Sequence, residues 1–61
     1  MERELLLAAL RVIMSLHDGT RVSEADIGLL KANALPGEID FDLDDLARNA
    51  ARRVIAAPKA M

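Results

Sequence analysis

Residues 2–16, ERELLLAALRVIMSL, form a helical pattern that is almost wholly apolar. The polar positions Glu4, Arg11, Ser15 and Asp18 recur at helical spacing and fall in one narrow stripe. Around that stripe stand Leu5, Leu6, Leu7, Ala8, Ala9, Leu10, Val12, Ile13, Met14 and Leu16. Such an apolar arc is far wider than the core-facing stripe of an ordinary surface helix. A helix of this kind needs cover on more than one side. His17-Asp18-Gly19 ends it, because glycine at C′ adopts the left-handed conformation without a Cβ penalty.

Two further helices are expected downstream. Ser23 caps the second, with Asp26 three residues on in a near capping box, and Val22 and Ile27 placed as a hydrophobic staple. Ile27, Leu30 and Ala34 share one face of it, and Gly28 and Ala32 are spaced for close approach of another helix. Pro36-Gly37 stops the segment. Residues 38–43, EIDFDL, alternate acid with Ile39, Phe41 and Leu43, which describes either a strand or a loop pinned by its apolar residues. A lone strand leaves its backbone groups unpaired, so a loop is expected. Asp42 caps the third helix, with Phe41 and Leu46 repeating the staple. Leu43, Leu46, Ala47, Ala50, Val54 and Ile55 make its apolar stripe, opposite Asp44, Arg48, Asn49, Arg52 and Arg53. Asp44 and Arg48 are an i,i+4 pair in the favourable orientation. Pro58 closes the helix. The expected fold class is therefore all-α: a single three-helix domain over residues 1–57, with a frayed tail at 58–61.

Composition restricts what such a domain can be. Of 61 residues 52% are apolar, but eleven of those apolar residues are alanine and only one is aromatic. A domain near 60 residues buries only about 60% of its unfolded surface. With no cysteine, neither disulfides nor a zinc–cysteine site can reinforce it. A second copy of the chain is the simplest added source of burial.

The N-terminal stretch superficially resembles a signal peptide, yet Glu2 and Glu4 offset Arg3, Arg11 interrupts the apolar run, and no small-residue cleavage site follows. The run Leu5 to Leu10 is much too short to span a bilayer, and the mixed signs of the polar positions do not suit a surface-lying membrane helix. A cytoplasmic protein is expected. Charge is segregated, with Glu38, Asp40, Asp42, Asp44 and Asp45 followed by Arg48, Arg52, Arg53 and Lys59. Acids at the start of a helix and bases at its end match the helix dipole.

Catalytic chemistry finds little support. The only imidazole, His17, stands at a helix end where the dipole favours it, and the nearby hydroxyls Ser15, Thr20 and Ser23 are merely local in sequence. No phosphate-cradling glycine loop is present. Asp40, Asp42 and Asp44 alternate as in a calcium loop, but position six from Asp40 is Asp45 and position twelve is Ala51, so the required glycine and glutamate are missing. No enzyme activity, cofactor, metal or small-molecule substrate is expected.

Protein association remains. Two short helices cannot cover the whole arc of the first, which leaves Leu6, Leu7, Leu10, Ile13 and Met14 as the expected interface with a second copy or another protein. A regulatory adaptor, an anti-activator or a small subunit of a complex would fit, with a homodimer favoured. The alternative is a helix-turn-helix-like DNA-binding regulator whose third helix offers Arg48, Arg52 and Arg53 to phosphates. Against it stand the acids at the start of that helix, the long connection containing Pro36, and the formal net charge of −2.

Overall fold

The computed structural model describes residues 2–56, so the expected tail at 58–61 lies outside the described residues. Three α-helices follow in order: α1 (Glu2–Asp18), α2 (Glu24–Ala32) and α3 (Leu43–Ala56), with a short 3-10 turn at Pro36–Glu38 between the last two. The domain is all-α, with no strand among the described residues.

Helix ends follow their local chemistry. Gly19 has φ 74°, and the Thr20 N–H donates back to the Ser15 carbonyl at 2.9 Å. This is the six-to-one bond of a Schellman cap. At α3, the Asp45 N–H donates to Asp42 Oδ1 at 2.9 Å, so Asp42 caps this helix as its side chain suggests. At α2 the expected capping box is absent. Ser23 is the N-cap residue by backbone conformation, but its hydroxyl makes no capping bond. Asp26 has been drawn to Arg11 instead, because a charged two-point partner is stronger than a backbone amide.

The most extensive packing joins α1 to α3. The end of α1 (Leu16, His17) meets the start of α3 (Asp44, Arg48) in one shallow groove, so the two helices run antiparallel. Their seam is small-sided, since Ala9, Ala47, Ala50 and Ala51 are buried together with Leu5, Val12, Leu30 and Leu46. Alanine brings little apolar area per residue but lets backbones approach closely. Val12 and Leu30 are the largest fully buried side chains. Leu30 is the main core contribution of α2, which closes the third side.

Three residues expected to face inward, Ile55, Ile39 and Phe41, are corrected. Ile55 is 71% exposed while Ala51 takes the buried place, because the buried line of α3 runs through Ala47, Ala50, Ala51 and Val54. In 38–43 the expected alternation is lost: Glu38 is buried, Ile39 is 79% exposed, Asp40, Phe41 and Asp42 are exposed, and of the three apolar residues only Leu43 packs half-buried against the core. Pro36 starts a 3-10 turn, closed by the Glu38 N–H donating to the Leu35 carbonyl at 2.8 Å. In a turn the two-residue period no longer governs which side chains face inward.

Candidate functional site

The first helix uses only part of its apolar arc inside the fold. Leu5, Ala8, Ala9 and Val12 are buried. Leu6 and Ile13 pack at the edge of the core and are half-buried. Leu7, Leu10 and Met14 are 43%, 42% and 62% exposed. These three recur at spacings of three and four, so they lie in one row along the helix. Of the five expected interface residues, three therefore form an open ridge and two form its shoulder toward α3.

Charges border this ridge. Arg3 precedes it and His17 follows it in the same spacing, while Glu4, Arg11 and Asp18 run along one flank. Arg11 is fixed in place: its Nε donates to Asp26 Oδ2 at 2.9 Å and its Nη2 donates to Oδ1 at 2.8 Å. The Arg11 guanidinium hydrogen bond lowers the Asp26 carboxyl from its ordinary value, against the opposing effect of burial. Sequence spacing gave no sign of this bond, since the partners are fifteen residues apart.

The three arginines considered for phosphate contact have different surroundings. Arg48 Nε donates to Asp44 Oδ1 at 2.9 Å on the surface. Arg52 is exposed and donates to Asn49 at 3.4 Å. Arg53 does not lie on the free outer face. It turns into the connection between α2 and α3, donating through Nη1 to Glu38 Oε2 and through Nη2 to the Asn33 carbonyl at 2.9 Å. Glu38 Oε1 also accepts from the Leu35 N–H at 3.0 Å. Glu38 and Arg53 thus tie the end of α3 to the end of α2.

Two shallow depressions lie on the surface of the described residues. One of about 310 Å³ is lined by Ile13, Leu16, His17, Asp44 and Arg48, which places His17 beside a pair already joined to each other. The other, of about 240 Å³, is lined by Lys31, Ala34, Glu38, Ile39, Phe41 and Leu46. Leu35 is exposed near the same connection. Sequence reasoning missed this second apolar patch because it assigned Ile39 and Phe41 to the core. Gly28 has nothing within 4 Å of where a Cβ would stand, so no close helix approach at Gly28 is made among the described residues.

Among the described residues, no cluster of three or more His, Asp, Glu or Cys side chains is placed to hold a metal ion. No helix among the described residues is long and apolar enough to cross a membrane. The chain matches no protein-family model, no curated protein and no solved structure.

Proposed function

We propose that this chain is a non-enzymatic protein–protein interaction module that self-associates, as a homodimer, through the outer face of α1. The observation that carries the reading is the open row Leu7, Leu10 and Met14, backed by half-buried Leu6 and Ile13. A contiguous apolar ridge on a small protein loses free energy to water until another surface covers it. The alanine-rich core supports the same reading, because a domain with so few large buried side chains gains from added apolar burial. Self-association of this kind suits a cytoplasmic regulatory adaptor, an anti-activator or a small subunit of a larger complex.

Light scattering across a dilution series tests the proposal, with Leu10→Lys as the disrupting variant. A lysine at the centre of the ridge is expected to leave a helical monomer at concentrations where the unaltered chain associates. A variant that keeps its helicity and associates as strongly as the unaltered chain would overturn the reading. If Leu10→Lys unfolds, Met14→Lys provides the same comparison nearer the helix end.

A further inference from the structure

We propose that the second copy lies antiparallel across α1, with the two-fold axis passing at the level of Ala8 and Ala9. This geometry rests on the self-association just described and specifies which residues meet.

The row Arg3, Leu7, Leu10, Met14 and His17 advances by four, three, four and three residues. That is the alternation by which one helix packs along another in a coiled-coil seam. Leu6 and Ile13 run along one side of this seam, and Glu4, Arg11 and Asp18 along the other. Two-fold symmetry in an antiparallel pair sets like flank against like flank. With the axis at residues 8–9, Leu7 of each copy faces Leu10 of the other, and Arg3 faces Met14. On one flank Leu6 approaches Ile13 of the second copy. On the other flank Glu4 approaches Arg11, joining opposite charges.

The charge pattern disfavours the other arrangements. Sliding the antiparallel pair by one heptad puts Arg11 against Arg11 and Glu4 against Asp18, which are like-charge contacts. A parallel pair puts Arg3 against Arg3 and aligns the helix dipoles side by side. Only the first register brings two leucine pairs to the centre and an acid to a base at each end. Arg11 is prepared for the contact. Asp26 holds it through Nε and Nη2, which leaves Nη1 to donate to Glu4 of the second copy. α2 thereby fixes the position of a charge used at the interface of α1.

Cross-linking tests the register, and the cysteine-free sequence makes single cysteines unambiguous. Arg3→Cys and Met14→Cys variants, distinguished by a mass tag, are mixed and treated with a short bis-maleimide. The expected result is a cross-linked pair containing one of each variant, with neither variant cross-linking to itself. In the antiparallel register, position 3 of one copy stands about 16 Å along the axis from position 3 of the other. Self-cross-linking of Arg3→Cys would show a parallel pair and overturn the geometry. Association without any mixed product would likewise overturn it, while leaving self-association itself intact. A chain that stays monomeric at every concentration would overturn both proposals. As a second readout, Glu4→Lys is expected to weaken association about tenfold, since symmetry turns two attractive contacts repulsive at once. Unchanged association of a folded Glu4→Lys variant would contradict the register.

Discussion

Arg11 of α1 and Asp26 of α2 meet in a two-point contact, with guanidinium–carboxylate bonds of 2.9 Å to Oδ2 and 2.8 Å to Oδ1. Asp26 is buried, while Arg11 keeps an exposed side. The contact therefore fastens the short second helix to the first and leaves its cation at the surface.

Acid should loosen this attachment. The folded-state carboxyl of Asp26 lies below its unfolded value of about 3.9, chiefly through the Arg11 hydrogen bond. A depressed carboxyl contributes stability that is fully present above the unfolded value and is lost as pH falls through the folded one. Urea midpoints measured from pH 7 down to about pH 2 should fall over the acidic end of that range. Asp26→Asn should lower the midpoint at neutral pH and flatten its acid dependence. An Asp26→Asn variant with an unchanged acid slope would show that other carboxylates account for it.

Glu38 and Arg53 make the second long-range attachment, and Glu38 is buried there. Removing either partner leaves the other with an unmet charge near the core. Glu38→Ala and Arg53→Ala should each cost about 1–3 kcal/mol in chemical denaturation. The double variant should cost less than the sum of the two, because both substitutions break the same contact. Full additivity would show that the pair is not coupled.

The alanine seam should reject larger residues. Ala47 is fully buried and Ala50 nearly so, between α1 and α3. Ala47→Leu adds apolar bulk but must push the helices apart, at a cost of about 1–3 kcal/mol. Leu30→Ala, which empties the centre of the core, should cost about 2–5 kcal/mol. Ile55→Ala, at an exposed position, should change stability by no more than about 0.5 kcal/mol. Thermal melts of the three variants check the order, and a stabilised Ala47→Leu would show slack in the seam.

Much of this architecture was legible in the sequence. Gly19 ends α1 and Asp42 caps α3, because these signals act within a few residues. The surplus of apolar surface on the first helix was legible too, as a count around one helical wheel. What could not be read were the pairings across fifteen residues, Arg11 with Asp26 and Arg53 with Glu38. Each depends on how helices settle against one another, and each overrode a local expectation. Asp26 left its capping role, and Arg53 left the outer face. Ile39 and Phe41 show the same limit from the other side. Their alternation suggested inward anchors, but a turn begun by Pro36 faced a carboxylate inward and left them outside.

Sedimentation equilibrium of the unaltered chain, over a wide dilution series at neutral pH, tests the central claim most directly. The account predicts a weight-average mass that rises with concentration from the 6.6 kDa of one chain toward twice that value. A mass fixed at that of one chain throughout would contradict it.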